Sequence, residues 1–158
     1  MDSFNIFEPE LEQADRPDGW NWRYARVGRA IGARKLGATI YELPPGGRSF
    51  PYHYEYPEEE WLLVLEGRPT LRHPGGEDLL DPWDVVFFPA GPDGAHAVRN
   101  DTDSSIRVLM FSDRSNVAAS VYPDSDKIAI WAGNEKDNLI VRRASGVGYW
   151  DGETGDGD

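Results

Sequence analysis

Four side chains that could bind a metal ion fall in two short stretches of the chain. Three of them, His53, Glu55 and Glu60, lie within eight residues. The fourth, His96, follows a second apolar stretch at residues 85–89. Imidazole nitrogens and carboxylate oxygens suit divalent ions such as manganese, iron, zinc and nickel. The two stretches therefore predict one divalent metal site to which two separated segments contribute.

Cysteine is absent from the 158-residue chain. This excludes disulfides, zinc–cysteine sites, iron–sulfur clusters and a thiol nucleophile, and it leaves histidine and carboxylate as the strong ligands. Any bound ion is therefore expected to have a shell of nitrogen and oxygen atoms.

The elements that must position these ligands are strands. Because side chains alternate between the two faces of a strand, His53 and Glu55 are predicted to point the same way. Pro57 is expected to bend the chain before pairing resumes at Glu60. If that bend returns Glu60 to the same interior, Glu60 adds a third ligand, and His96 adds a fourth.

The rest of the sequence is typical of an all-β protein. Short runs of strand-forming residues alternate with Gly, Pro, Asp and Asn, and helical periodicity does not extend beyond two turns. Besides the strand of the ligand motif, we predict strands at residues 19–27, 36–43, 69–72, 78–80, 84–88, 95–99, 105–111, 117–121 and 127–131, with a short helical turn at 134–139.

We expect one domain with short terminal arms. Residues 1–18 are predicted to form an acidic N-terminal arm that docks through Phe4, Ile6 and Phe7. Residues 19–133 form the barrel domain. Residues 134–158 form a C-terminal extension with an acidic tail, and the Gly- and acid-rich composition of that tail predicts disorder.

The net charge of −12 belongs mainly to the chain ends. Residues 1–18 carry six acids and one base, and residues 151–158 carry four acids and no base. The sequence has no clustered basic face of the kind that nucleic acid requires, no secretory signal pattern and no apolar run approaching about 18 residues. We therefore expect a cytoplasmic protein that binds neither nucleic acid nor membrane.

The spacing of the two stretches resembles the two motifs of the cupin superfamily. The first motif is Gly, five residues, His-x-His, three or four residues, Glu, six residues, Gly. Here Gly47, His53, Glu55, Glu60 and Gly67 occupy these positions at every required spacing. The single departure is Glu55, which stands where the second histidine of the family motif is expected.

The second cupin motif is Gly, five residues, Pro-x-Gly, two residues, His, three residues, Asn. Pro89, Gly91, His96 and Asn100 follow this pattern, but Trp83 occupies the first glycine position and the loop before His96 is two residues longer. Together with residues 121–125, this longer loop is similar to that of a group of small, single-domain bacterial cupins of unassigned activity. The resemblance covers residues 20–131.

The resemblance implies a jelly-roll, antiparallel β-barrel or sandwich that holds one divalent metal ion and forms a homodimer. The residues add an independent argument for the dimer. Residues 61–65 and 85–88 are apolar on both faces, whereas an antiparallel sheet that is open to water on one side should alternate. Either the terminal arms or a second subunit must cover the outer face.

Glu55 has two alternative roles. With His53, Glu60 and His96 it could complete a four-ligand set whose two carboxylates favour manganese or iron over copper, although zinc and nickel stay open. Alternatively, the other three residues form a two-histidine, one-carboxylate triad with open positions, as in non-haem iron oxygenases. Glu55 is then the candidate for proton transfer, which makes it the predicted catalytic residue.

The fold alone does not determine the function. Our first hypothesis is a metal-dependent enzyme that acts on a small oxygen-rich molecule such as a sugar, a sugar phosphate or an organic acid, of the isomerase or dioxygenase type. The alternative is a non-catalytic cupin that binds a small ligand or a metal. We read Glu58 and Glu59 as rim charges, His73 as a surface residue in a turn, and Arg48, Arg99 and Arg107 as candidate binders of an anionic substrate.

Overall fold

The computed structural model describes residues 1–155 of the chain. Within them the regular secondary structure is mostly antiparallel strand, which confirms the all-β fold that the sequence predicts. The strands are β1 (Glu12–Gln13), β2 (Arg23–Ala25), β3 (Leu36–Leu43), β4 (Tyr54–Tyr56), β5 (Glu60–Glu66), β6 (Thr70–His73), β7 (Gly76–Leu79), β8 (Val85–Phe88), β9 (Ala97–Arg99), β10 (Ile106–Asp113), β11 (Ala118–Tyr122), β12 (Lys127–Trp131) and β13 (Leu139–Arg142).

Helical structure is limited to short pieces in the described residues. One helix of four residues, α1 (Val27–Ala30), follows β2, and 3₁₀ turns lie at Pro92–Gly94, Pro123–Ser125, Glu135–Asp137 and Arg143–Ser145. The strand predicted at residues 19–27 is shorter than expected, because the chain turns into α1 immediately after it. No helix among residues 1–155 has the length and apolar character needed to cross a membrane.

The strands form three sheets. The six-stranded sheet has the order β1-β2-β3-β10-β5-β8, the four-stranded sheet the order β13-β12-β11-β4, and the three-stranded sheet the order β7-β6-β9. Neighbours in the first sheet are distant in sequence, since β10 pairs with β3 on one side and with β5 on the other. This interleaved pairing is the jelly-roll arrangement, in which consecutive strands cross between two layers.

The hydrophobic core lies between the six-stranded sheet and the smaller sheets. Leu62 and Val64 of β5 are fully buried and belong to one cluster with Val108 of β10, Leu71 of β6 and Val98 of β9. Alternate residues of β5 point to this core, so Glu60 at the start of the strand lies on the same inner face. The core thus sets the direction of the side chain that the sequence predicts as a metal ligand.

The outer face of the six-stranded sheet is only partly covered. Near β2 and β3, the N-terminal arm places Phe4, Ile6 and Leu11 against a second buried cluster that contains Ile40 and Leu109. Toward β5 and β8, a row of three aromatic side chains, one on each of three adjacent strands, stays exposed. Its members are Phe87, Trp61 and Phe111, which we call the aromatic row; they are 47%, 50% and 38% exposed.

Among the residues with a positive φ, Gly67 and Trp83 adopt this backbone conformation for different reasons. Gly67 has a φ of 75°, and a Cβ there would lie 2.7 Å from Cγ2 of Ile106, so the motif glycine is required by both its conformation and its packing. Trp83, which replaces the first glycine of the second motif, also has a positive φ of 77°. Its indole ring packs against Phe7 of the arm at a centroid distance of 5.8 Å. The chain therefore keeps the backbone geometry of the glycine and uses the added side chain to contact the arm.

The C-terminal segment includes β13, which the sequence does not predict. Residues Leu139–Arg142 pair with β12 at the edge of the four-stranded sheet, after a 3₁₀ turn at Glu135–Asp137. In the predicted acidic tail, residues 156–158 lie outside the described residues. The boundaries at residues 18 and 133 stay predictions.

Candidate metal centre

His53, Glu60 and His96 converge in the interior near one end of the barrel. His53 directly precedes β4, His96 directly precedes β9, and Glu60 is the first residue of β5. Each offers one ligand atom, and the three atoms lie within 4.8 Å of one another. The structure thus brings together three of the four side chains that the sequence predicts as ligands.

Backbone pairing fixes the two histidines beside each other. The amide of each donates to the carbonyl of the other, with N–O distances of 3.1 Å from His53 to His96 and 2.8 Å in the reverse direction. Their rings are 4.9 Å apart, and the ring of Phe88 stacks on His96 at 3.8 Å. The site is therefore held by a bridge between two sheets and by core packing.

The Nδ1 atoms of both histidines face backbone carbonyls. Nδ1 of His53 lies 2.9 Å from the Pro51 oxygen, and Nδ1 of His96 lies 2.9 Å from the Gly94 oxygen. A carbonyl oxygen can only accept, so these contacts assign the proton to Nδ1 in each neutral ring. Both Nε2 lone pairs are then left for another partner, as is usual for histidine metal ligands.

The longer loop before His96 depends on Gly94. A Cβ at this position would lie 1.9 Å from the Pro89 carbonyl oxygen, so no other residue fits without moving the backbone. Because the Gly94 carbonyl binds Nδ1 of His96, the loop both approaches itself closely and orients the ligand. The two additional residues thus change the loop and leave His96 in the ligand position.

The electrostatics of the three ligands fit a divalent cation. Burial lowers the pKa of His96 to about 3, with a further contribution from His53, and burial also lowers the pKa of His53. Both rings are therefore neutral at pH 7. Burial, with additional repulsion from Glu55 and Glu58, raises the pKa of Glu60 to about 8. A bound cation would reverse this penalty and favour the carboxylate.

The contact between His96 and Glu60 gives the strongest indication of a shared proton or a bound cation. Nε2 of His96 lies 3.5 Å from Oε2 of Glu60, and it is buried without a hydrogen-bond partner in the described chain. Although the distance suits an ion pair, the low pKa of His96 makes the ring neutral. Two acceptor atoms then face each other, and either a proton or a metal ion must lie between them.

Glu55 lies beside this cluster without joining it. Its Oε1 is 4.0 Å from Nε2 of His53 and accepts a hydrogen bond of 2.8 Å from Ser120 Oγ. Ser120 Oγ in turn accepts a hydrogen bond of 2.9 Å from Trp131 Nε1. Side chains on β11 and β12 therefore hold the Glu55 carboxylate at the edge of the three-residue site.

Glu58 is closer to the site than its interpretation as a rim charge implies. It is half-buried, and its Oε1 accepts a hydrogen bond of 2.6 Å from the Ser115 amide. Burial raises the pKa of Glu58, and the neighbouring Glu55 raises it further. Glu55, Glu58 and Glu60 thus form an acidic group in the described structure that a cation would stabilise.

A cavity of about 320 Å³ opens beside the metal cluster. Its polar wall includes the carboxylates of Glu55 and Glu60 and the hydroxyl groups of residues on β3, β10 and β11, which are Thr39, Tyr41, Ser112, Ser120 and Tyr122. The arrangement offers several hydrogen-bonding groups around a candidate metal ion, which suits a small molecule with several oxygen atoms.

Sequence reasoning missed Ser120, Tyr122 and Trp131. Ser120 is only 2% exposed although it is polar, and it shares the inner face of β11 with Tyr122. A polar residue on the buried face of an apolar strand is the signal that could have identified it. The proposed anion binders do not line this cavity: Arg107 pairs with Glu42, and Arg99 pairs with Glu77 and Asp101.

Comparison with known proteins identifies the family of the domain. Residues 39–112 match the family model described as Cupin domain. The structure is similar to that of a putative sugar phosphate isomerase from Acidithiobacillus ferrooxidans, with 26% sequence identity, a TM-score of 0.80 and coverage of 90% of each chain.

A second solved structure supports the fold alone. The sugar phosphate isomerase from a cupin superfamily of Silicibacter pomeroyi is 24% identical, with a TM-score of 0.79 and coverage of 95% of this chain and 98% of that chain. In addition, 86 residues are 33% identical to the bifunctional lysine-specific demethylase and histidyl-hydroxylase NO66 of Branchiostoma floridae. That match covers 52% of this chain but only 14% of the larger protein.

Proposed function

Because this chain is a cupin-domain protein whose buried histidines and carboxylate converge beside a polar cavity, we propose that it is a metal-dependent isomerase of a small sugar or sugar phosphate. The single observation that best supports a metal is the convergence of one ligand atom each from His53, Glu60 and His96 within 4.8 Å, with Nε2 of His96 buried and without a hydrogen-bond partner in the described residues.

In this proposal His53, Glu60 and His96 hold the ion through two imidazole nitrogens and a carboxylate oxygen. A metal bound there, whether manganese, iron, zinc or nickel, would supply a Lewis acid that polarises a substrate oxygen. The ligands present the ion to the cavity while the Nδ1 hydrogen bonds keep both imidazoles oriented.

Glu55 is the proposed proton-transfer group. An aldose–ketose isomerisation removes a proton from a hydroxyl-bearing carbon next to a carbonyl and returns it to the neighbouring carbon. Glu55 takes and returns this proton at a carboxylate oxygen, while Ser120 and Trp131 orient the carboxylate. If Glu55 is instead a fourth ligand, its substitution should weaken metal binding, whereas substitution of a base should reduce turnover with the metal retained.

The isomerase class is favoured over the dioxygenase class by structural similarity over most of the chain. The alignment with the putative sugar phosphate isomerase covers nine-tenths of each of the two chains. The match to the demethylase and hydroxylase covers only a small part of that larger protein. The dioxygenase type stays the second candidate because a two-histidine, one-carboxylate set with open positions is typical of iron(II) oxygenases. A non-catalytic cupin that binds a small ligand is the third.

Metal analysis combined with proton exchange tests the proposal. We expect the purified protein to contain close to one equivalent of a transition metal, and we expect it to exchange a carbon-bound proton of a sugar or sugar phosphate with D2O, as followed by NMR. A protein that takes up no metal even after reconstitution would contradict the metal site. Stoichiometric metal without exchange on a broad panel of sugars would favour the binding module.

We also propose that a second copy of the chain covers the aromatic row. The arm already covers the part of the outer face near β2 and β3, but the aromatic row, together with Val85, stays exposed. Large exposed apolar patches of this kind are typical of interfaces, and a two-fold dimer is the commonest closed assembly. The cytoplasmic location stays a prediction.

A further inference from the structure

A second recess lies directly beside the metal-site cavity. It has a volume of about 700 Å³, and it shares part of its wall with the first cavity, namely Thr39, Tyr41, Phe50 and Pro51. The rings of Tyr41 and Phe50 meet at a centroid distance of 4.9 Å in this common wall. The recess and the metal-site cavity therefore border the same pair of rings, and a ligand that occupies both must pass beside them.

The charges of the two spaces are opposite. Among the described residues, no lysine or arginine lines the metal-site cavity, whereas Glu55 and Glu60 do. The recess, in contrast, is lined by Arg16 and Arg26, with Asp15 as its one acidic residue in the described chain. A phosphate group beside two carboxylates would be repelled, so the recess is the favourable location for the anionic end of a ligand.

The two arginines are arranged as available donors. Arg16 stacks over Trp22 and Arg26 over Tyr24, each with its guanidinium carbon 5.3 Å from the ring centroid. Within residues 1–155, neither guanidinium lies within 4.0 Å of a carboxylate. Nη1 of Arg16 donates a hydrogen bond of 2.7 Å to the Asp15 carbonyl, so its other N–H groups and those of Arg26 are the candidate donors to an oxyanion.

A third recess of similar size serves as an internal comparison. Its basic residues are Arg48, Arg72, Arg99 and Lys127, of which Arg72 pairs with Asp124 and Arg99 pairs with Glu77 and Asp101. It shares only Phe50 and Pro51 with the wall of the metal-site cavity. The recess of Arg16 and Arg26 shares four wall residues with that cavity, which favours it as the anion site of a ligand that also reaches the metal cluster.

We propose that Arg16 and Arg26 bind the phosphate group of the substrate while its carbonyl end reaches the metal-site cavity. The assignment rests on the proposed isomerase function for the direction of the substrate, and it selects sugar phosphates over free sugars. It also gives the N-terminal arm a role in substrate binding, because Arg16 belongs to residues 1–18.

Titration with inorganic phosphate tests the anion site independently of catalysis. We expect the protein, as purified and again after treatment with a chelator, to bind phosphate in isothermal titration calorimetry at low salt. The double variant R16Q/R26Q should bind phosphate at least about tenfold more weakly, because charge-assisted hydrogen bonds are lost. The control R34Q/R29Q removes the same charge outside the recess, and its affinity should stay within about twofold of the original.

The possible outcomes separate the two proposals. Phosphate binding that survives R16Q/R26Q, or that falls equally in the control, would overturn the site, as would acetate binding as tightly as phosphate. If phosphate binds through the two arginines but no sugar phosphate exchanges protons with D2O, the anion site stands and the isomerase proposal fails. Circular dichroism of each variant distinguishes a lost contact from a lost fold.

Discussion

The two faces of the six-stranded sheet consist of the same strands, but this chain buries the inner face and leaves part of the outer face exposed. On the inner face of β5 and β10, Leu62 and Val108 are fully buried, and the face ends at Glu60 in the metal cluster. On the outer face of the same two strands, Trp61 and Phe111 are 50% and 38% exposed. Both faces are apolar, but only the inner one is closed by this chain.

We therefore expect the two faces to serve different purposes: the inner face supports the candidate metal site, and the outer face supports the proposed dimer. A site that shifts the pKa of Glu60 and of His96 needs a desolvated interior, which the smaller sheets provide. An exposed aromatic row contributes nothing to that interior and is favourable only when another surface covers it. We therefore expect substitutions on the inner face to change metal binding and turnover, and those on the outer face to change the oligomeric state.

The largest effect is expected for Glu55→Gln on the inner face. Because the amide cannot accept a proton, turnover should fall about 10²- to 10⁴-fold while metal content stays unchanged. Steady-state kinetics and elemental analysis of the same preparation measure both quantities. Glu59→Gln, at an exposed neighbouring position, is the matched control. Loss of metal in Glu55→Gln would instead identify Glu55 as a fourth ligand.

His96→Ala is expected to weaken metal binding by about 100-fold or more. It removes a direct ligand, and removal of the outer partners of a ligand already costs about 10- to 100-fold. His73→Ala provides the control, since His73 is the last residue of β6, where its Nδ1 accepts from the Gly75 amide and its Nε2 lies 3.1 Å from Asp78. Competition with a chromophoric chelator gives both affinities. Equal affinities would show that the cluster does not bind the ion.

On the outer face, Trp61→Ala is expected to raise the dissociation constant of the proposed dimer by about 30-fold. A tryptophan in the middle of an interface typically contributes about 2 kcal/mol. Sedimentation at several concentrations measures the change, and metal content should not change. Val117→Ala, another exposed apolar side chain, is the control outside the row. If the parent protein sediments as a monomer at all concentrations, the proposed dimer is wrong and the outer face does not serve assembly.

Much of the inner face could be predicted, because it depends on residue spacing along the chain and on the alternation of side chains along each strand. The spacing of His53, Glu60 and His96 predicts the three candidate ligands that the structure brings together, and the strand at residues 127–131 has the bounds of β12. The Ser120–Glu55 hydrogen bond could not be predicted, since it joins residues 65 positions apart through strand pairing. The interpretation of Glu58 suffered from the same lack of tertiary information.

The sequence did not determine what covers the outer face of the six-stranded sheet, because this too depends on tertiary contacts. Apolar strands indicate that both faces are covered but do not identify the partner. In the structure, Phe4 and Ile6 of the arm cover one part of the outer face, and Trp61 in the other part stays exposed. The left-handed conformation of Trp83 was implied only by its alignment with a glycine.

The smallest effect concerns pH and affects the inner face alone. In metal-free protein the pKa of Glu60 is raised to about 8 from an ordinary value of 4.5, so the folded state holds a proton that the unfolded state releases. The resulting stability is complete below pH 4.5 and is lost as pH rises through 8. The depressed pKa of His96 has the opposite effect, but only below about 6.5.

Between pH 6.5 and 8, the Glu60 contribution therefore acts with little opposition from His96. The free energy of unfolding of the metal-free protein should fall with rising pH, by at most about 1.4 kcal/mol per pH unit. Urea unfolding at several pH values measures this slope, and Glu60→Gln should flatten it. The aromatic row cannot titrate, so the Trp61→Ala variant should retain the full slope. If Trp61→Ala removed the slope as well, the two faces would be energetically coupled rather than independent.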